Sequence, residues 1–279
     1  MPVRKSLIAF AVSLSFTVLA LCSNIGYIQA DDNPKAGDPL ELTVKNVKYR
    51  FRWCPAGTFT MGSPLSEADR NNNEQLHPVT LSQGFYLAET EVTQEQWESI
   101  AGNNPSNFKG SKLPVECVDW NACQDFVKEL NALGVAPKGY KFSLPTESQW
   151  ESACRSGSTT AYCFGENSKK LGDYAWYNEN SKNTTHEVGT KKPNAWNLYD
   201  MHGNVFEWCN DWYGNYPSAT ASTAELTDPI GASSGSYRVR RGGSWLLSAE
   251  DCRSAFRSLN SPDYAGDFIG VRVALVSGE

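Results

Sequence analysis

The alternation of apolar and polar positions sets in near residue 43. Thr43 to Trp53 is dense in β-branched and aromatic side chains, a composition that fits a pleated, half-buried strand. Gly57-Thr58-Phe59-Thr60-Met61-Gly62 continues the strand pattern with turn residues at both ends, and His77 to Leu87 repeats it. Between them Asp69 to Gln75, with three asparagines in a row, reads as a solvated loop. Three segments change to the helical period. Thr93-Gln94-Glu95-Gln96 has capping-box spacing, Trp97 and Ile100 follow it, and Gly102 stops it. Asp119 can cap a second helix with Trp120, Cys123, Phe126, Val127 and Leu130 on one face and Gly134 at its end. Pro145-Thr146-Glu147-Ser148-Gln149 opens a third, closed by Gly157. Beyond residue 160, Gly, Asn, Pro, Ser and aromatics dominate, and Arg238 to Arg241 and Gly270 to Val276 are the clearest strands. The pattern predicts an α+β domain with much ordered loop and little regular structure.

The N-terminus follows a different rule. Arg4 and Lys5 precede an apolar run from Leu7 to Leu21, too short for a spanning helix of roughly 20 residues and in keeping with an export signal. Cleavage after Ala30 gives a signal peptide of residues 1–30, a polar linker of 31–45 and a domain of 46–276. Leu19-Ala20-Leu21-Cys22 also looks like a lipoprotein box, so lipid anchoring through Cys22 is a second route to the same extracytoplasmic location, periplasmic or secreted. Nothing after residue 30 reads as a transmembrane span. The formal charge is −6, and loss of Arg4 and Lys5 leaves −8. Such a product repels phosphate backbones, which argues against a nucleic-acid partner. Aromatics make up 12% of the chain, nine tryptophans among them, enough for a packed core.

Of eight cysteines, Cys22 leaves with a cleaved signal and seven remain. An oxidising compartment permits disulfides, but an odd number leaves one thiol free or paired between chains. No Cys/His cluster has zinc spacing.

Several phrases carry a family resemblance in their order. Pro55-Ala56-Gly57-Thr58-Phe59 with Met61-Gly62 comes first, then Glu91-Val92-Thr93 with Trp97, Leu113-Pro114-Val115, and Leu144-Pro145-Thr146-Glu147 with Trp150-Glu151. Leu198 to Trp208, Arg241-Gly242-Gly243-Ser244-Trp245, Arg257 and Gly270-Val271-Arg272 complete the series. Over roughly residues 46 to 276 the chain resembles the formylglycine-generating-enzyme-like, or sulfatase-modifying factor, family. The resemblance implies a loop-rich fold related to C-type lectins. Active members oxidise a sulfatase cysteine to formylglycine with oxygen and a copper ion held by two thiolates.

That chemistry needs two soft ligands, because one thiolate gives a much weaker site for Cu(I). Counting from Gly242-Gly243-Ser244-Trp245, the first thiol position falls on Leu247 and the second on Cys252. Leucine binds no metal, and the spacing from Cys252 to Arg257 is shorter than in active members. Cys252, Ser244 and Arg257 are thus catalytic candidates by analogy only. Cys252 also reads as a buried or disulfide-bonded residue, Ser244 as part of a turn and Arg257 as an anchor for neighbouring loops. Rescue by another cysteine, such as Cys209, would keep copper chemistry alive. The resemblance further implies a calcium loop at Asp200 to Glu207. Asp200 and Glu207 would give carboxylate oxygens and Gly203 and Val205 carbonyls, with a structural role for the ion. The competing reading has Glu207 bonded to loop groups without metal. A second family calcium site near Ala175 to Val188 meets Trp176 where an asparagine is expected and is not carried over. Asn183-Thr184-Thr185 matches a glycosylation acceptor, a tripeptide common by chance.

Two functions follow as expectations. One is an exported member without the copper bis-thiolate site that binds a protein or glycan, or serves a secreted enzyme such as a sulfatase. Its surface would be the stretch from Trp245 to Phe268, with about half of its aromatics in the core; the same region is the variable surface of retroelement-diversified binders sharing the fold. The other is an active formylglycine-generating oxidase.

Overall fold

The computed structural model describes residues 33–216 and 226–278, so the expected signal peptide and Cys22 lie outside the described residues. Twelve short strands are present among the described residues: β1 (Pro39–Val44), β2 (Val47–Cys54), β3 (Gly57–Met61), β4 (His77–Leu81), β5 (Phe85–Ala88), β6 (Tyr140–Ser143), β7 (Phe206–Trp212), β8 (Leu226–Thr227), β9 (Arg238–Arg241), β10 (Ser258–Asn260), β11 (Ile269–Gly270) and β12 (Ala274–Ser277). They make a five-stranded sheet ordered β1-β2-β5-β12-β6, a four-stranded sheet ordered β10-β9-β7-β11, and a three-stranded sheet ordered β3-β4-β8. The first is antiparallel throughout. The β7–β11 and β4–β8 pairs are parallel. This is the loop-rich α+β architecture expected from the sequence.

Residues 39–44, assigned above to the linker, are the outer strand of the largest sheet. Leu40, Leu42 and Val44 alternate inward with period two and are buried, while the intervening positions face out. Lys45 and Asn46 both take left-handed φ, 47° and 69°, which matches a two-residue hairpin turn and divides the single strand region read at 43–53.

The three helices begin at the expected caps. In α1 (Gln94–Ala101) the Thr93 hydroxyl accepts from Gln96 N–H at 3.2 Å, and the Gln96 side chain accepts from Thr93 N–H at 2.9 Å. Thr146 and Gln149 repeat the box at α3 (Glu147–Arg155). Asp119 caps α2 (Trp120–Ala132), whose Cys123, Phe126, Val127 and Leu130 are buried. Helix α3 ends at Ser156, with φ 45°, one residue before the expected Gly157.

Two apolar clusters fill the centre. One joins β1, β2, α1, α2 and β12 through Leu40, Phe51, Trp97, Phe126 and Leu275. The other joins β3, β4, β5 and α3 through Met61, Val79, Leu87 and Trp150. Helix α3 is buried nearly all round and carries Glu147 and Glu151 inward, so both carboxylates need partners. Among the described residues no helix is long and apolar enough to cross a membrane.

Candidate functional site

Cys252 ends a short 3-10 turn, Ala249–Cys252, and is fully buried. It packs with Ala161, Tyr162, Leu171, Ala175 and Tyr177 in a small third apolar cluster. Burial pushes its thiol far above the ordinary range, away from the thiolate that metal binding requires. Leu247 lies elsewhere, packed on the first core cluster. Gly243, at φ 72°, presses on the sulfur: a Cβ there would sit 2.5 Å from Cys252 Sγ. A second thiol, Cys154, shares the neighbourhood. Its sulfur lies 3.9 Å from both ring nitrogens of His202, whose Nδ1 is 2.8 Å from the Cys252 carbonyl. His202 Nε2 accepts from Cys163 N–H, so Nδ1 carries the proton and donates to that carbonyl. His202 is thus satisfied by two backbone groups. Cys154 is also fully buried, and burial pushes its thiol up to about 12. Among the described residues no group of three or more His, Cys, Asp or Glu could hold a metal ion. A buried protonated thiol, a leucine in another cluster and a histidine with both nitrogens engaged do not fit a bis-thiolate copper centre.

Ser244 is buried, and its hydroxyl has no hydrogen-bond partner among the described residues. Arg257 is a structural anchor. Its Nε and Nη2 donate to Glu147 at 2.6 and 2.7 Å, and Nη1 donates to the carbonyls of Asn73 and Gly214. The guanidiniums of Arg257 and Arg241 hold the Glu147 carboxyl below the usual range despite its burial. Arg241 pairs with Glu151, which also accepts from Arg155 at 2.9 Å and from Gly62 N–H at 2.8 Å. These ion pairs satisfy both carboxylates of α3 and tie β9 and the loops around it to that helix.

The segment expected to bind calcium presents its carboxylates to protein donors. Glu207 lies on β7, where both oxygens accept from Arg272 at 2.6 to 2.9 Å and Oε2 also accepts from Trp150 Nε1 at 2.6 Å. Asp200 Oδ2 accepts from Gly189 N–H at 2.7 Å; Oδ1 has no partner among the described residues. Gly203 fits against the Trp176 carbonyl, and Val205 is buried. The positive charge among these acids is the Arg272 guanidinium. A calcium ion at Glu207 would have to displace it, so the donor set does not fit that ion there. The fully buried Glu91 stands close by, with both carboxylate oxygens unpartnered among the described residues. Burial and the charge of Asp200 push its carboxyl well up, and burial raises Asp200 to about 6.

All seven described cysteines are free thiols, so the expected disulfides are not formed here. Five are buried; Cys117 and Cys163 are half-buried. Burial and the neighbouring Glu116 raise the Cys117 thiol to about 12. A maleimide mass assay on native protein is therefore expected to tag Cys163 first, Cys117 slowly and the other five only on unfolding. Prompt labelling of Cys252 would refute its burial.

The aromatics from Trp245 to Phe268 divide roughly as anticipated. Phe256 and Phe268 pack against the first core cluster and flank Phe206. Trp245 stands edge-on to Phe108 and donates to the Asp267 carbonyl at 2.9 Å, while Tyr264 and Leu246 are 39% and 37% exposed.

Sequence reasoning missed Asp211 and His77. Asp211 shares β7 with Glu207 and Cys209, so period-two alternation could have placed it inward. It is buried, accepts from Glu147 N–H at 2.9 Å, and is raised to about 7 by desolvation and the Glu147 charge.

The pattern of the sulfatase-modifying factor enzyme 1-like domain matches residues 44–276. The chain is 27% identical to chaperone protein LppX of Paenibacillus barcinonensis, over 93% of this chain and 97% of that protein. It is 31% identical to the formylglycine-generating enzyme of Mus musculus over 78% of this chain, but spans only 57% of that enzyme. In structure it is similar to Treponema denticola variable protein 1, with TM-score 0.78 and 32% identity, covering 87% of this chain and 99% of the other. The chain belongs to the sulfatase-modifying factor enzyme 1-like family.

Proposed function

We propose that this protein is an exported, non-oxidising member of its family that binds another exported protein as an accessory or chaperone. The observation that carries the reading is the state of Cys252. It is buried in an apolar cluster, kept protonated, and separated from Leu247, which supplies no second sulfur. The end-to-end likeness to LppX, a relative named as a chaperone, supports an accessory role. Arg4, Lys5 and the apolar run after them support export. The binding surface is the loop face from Trp245 to Tyr264, where Leu246 and Tyr264 offer exposed apolar area beside half-buried aromatics, a mixture suited to protein recognition. A sulfatase is one candidate partner.

The test is copper titration of the reduced protein, followed by incubation with a sulfatase-motif peptide and mass spectrometry. The expected outcome is no copper bound at one equivalent and an unmodified peptide cysteine. Stoichiometric copper, together with conversion of that cysteine to formylglycine, would establish the oxidase instead.

A further inference from the structure

The buried arginines of this domain come with their counter-ions. Arg155, Arg241, Arg253, Arg257 and Arg272 each pair with a glutamate. Arg238 and Arg240 break that rule. They alternate with Val239 and Arg241 along β9, so their side chains leave the other face of the strand, where both are half-buried. Among the described residues neither pairs with a carboxylate. The acids next in sequence to the rings around them are engaged elsewhere. Asp267 accepts from Asn107 at 3.2 Å, Asp263 from the Ser261 hydroxyl, and Asp119 from the N–H of Ala122 at the start of α2.

What the two arginines touch is aromatic. The Arg238 guanidinium lies 3.6 Å over the Trp120 ring and 3.4 Å over that of Trp212, and Nη1 donates to the Asn210 carbonyl at 2.7 Å. It is a spacer between two indoles. Arg240 is more open. It lies 4.2 Å over the Phe206 ring and 5.2 Å over that of Phe268, and its Nε donates to the Ser258 hydroxyl at 3.2 Å. Among the described residues Nη1 is buried without a partner, and Nη2 is neither bonded nor fully covered. A phenyl face offsets part of the desolvation of a guanidinium but gives its N–H groups no acceptor. Burial accordingly lowers Arg240 to about 10, with Tyr264 opposing the shift. Phe206 and Phe268 belong to the first core cluster, whereas Tyr216 and Leu226, which flank residues 217–225, pack on the second together with Val239. The unmet charge thus lies on the other side of β9 from both of those flanks.

Arg240 borders the face to which the proposed function assigns partner binding. Phe268, which it overlies, is 6.2 Å from the ring of Tyr264, and the neighbouring Asp267 carbonyl accepts from Trp245. We infer that this face takes an acidic polypeptide segment, one carboxylate accepting from Arg240 Nη2 and an adjacent apolar side chain covering Tyr264. The inference rests on the reading of this face as the binding surface and adds the chemistry of the partner. A carboxylate gives the guanidinium a charge-assisted hydrogen bond, while a neutral or basic segment leaves it unmet. Few donors converge here, so a free inorganic anion gains less than a segment that also covers the aromatic rim. The chain is acidic overall and repels acidic partners elsewhere, so Arg240 also fixes where such a segment docks.

The test is calorimetric titration of the full chain with two capped octapeptides and with sodium sulfate. One peptide carries adjacent glutamates between a leucine and a phenylalanine, and the other carries glutamines in their place. The acidic peptide is expected to bind at least about tenfold more tightly, the value of one charge-assisted hydrogen bond, and the gap should narrow at high salt. Arg240→Leu, which keeps an apolar contact with Phe206 and Phe268, should remove the preference and leave binding of the glutamine peptide unchanged. Arg240→Lys keeps the charge and should retain part of the preference. Equal binding of the two peptides, or a preference that survives Arg240→Leu, would overturn the inference. If that equal binding is lost in Tyr264→Ser, the face still binds partners and the acid preference alone fails; if neither peptide binds, the reading of the face fails with it. Sulfate binding as tight as that of the acidic peptide, with the same dependence on Arg240, would overturn the inference in favour of a simple anion only.

Discussion

Arg272→Leu is expected to destabilise the domain by about 3–5 kcal/mol, the usual cost of stripping one partner from a buried ion pair. That is a large part of the roughly 5–15 kcal/mol that holds a typical domain folded. Arg272 is fully buried and is the cation that Glu207 pairs with; Glu91 and Asp200 also feel its charge. Without it, Glu207 keeps only the Trp150 indole as a donor among the described residues, beside two further carboxyl groups. Urea unfolding followed by tryptophan fluorescence measures the loss. Adding Glu207→Leu to Arg272→Leu removes the stranded charge and is expected to recover part of the stability. Millimolar calcium should leave the wild-type midpoint where it is. A loss below about 1 kcal/mol for Arg272→Leu would mean that the pair adds little here.

The second expectation concerns pH. Glu91, Asp200 and Asp211 all have carboxyls raised by burial, Asp200 to about 6 and Asp211 to about 7. A raised folded-state value means that the native chain binds protons more tightly than the unfolded chain. The stabilisation is therefore complete below about pH 4, where unfolded carboxyls titrate. It is lost as pH rises through about 6 to 7. Each excess proton held by the native state contributes a slope of about −1.4 kcal/mol per pH unit within that window. Glu74 and Glu147, lowered by Arg253 and Arg257, are already ionised in both states there and add no slope. Stability should thus fall between pH 5 and 7.5, when measured by urea titration at several pH values. Glu91→Gln, which keeps the shape and cannot ionise, is expected to flatten the fall by close to one proton's worth. Because Glu91 and Asp200 titrate as a pair, the slope change belongs to both. A curve that rises over this range, or an unchanged slope in the variant, would contradict the buried-acid account.

What was legible in the sequence was local. The capping boxes at Thr93 and Thr146 and the cap at Asp119 are fixed by residues at most three apart, and each helix starts where they point. The ordered phrases from Pro55 to Arg272 identified the family, since each is read over a short stretch of neighbouring residues. What escaped was made by distance. Arg272 meets Glu207 across 65 residues, and Arg241 meets Glu151 across 90. Along the chain these charges look like surface charges, and only the fold reveals them as buried pairs. The family resemblance placed Glu207 in a calcium loop, with Asp200 as the second carboxylate and Gly203 and Val205 as carbonyl donors. Its position on β7 opposite Trp150 and Arg272 depends on three segments that no local pattern connects. Residues 39–44 were read as linker because Pro34 and Gly37 lie just ahead of them and Pro39 opens them. The alternation of Leu40, Leu42 and Val44 was the better guide.

The order of strands in the largest sheet has a consequence for how the chain is made. The strand at 274–277 lies between the strands at 85–88 and 140–143, which makes no pairing with each other in that sheet. Until residues 274–277 have paired, the ladder β1-β2-β5 and the lone strand β6 each present an exposed, unsatisfied edge. The sheet therefore closes only once that strand is in place, and any helper protein that shields those edges acts before it pairs.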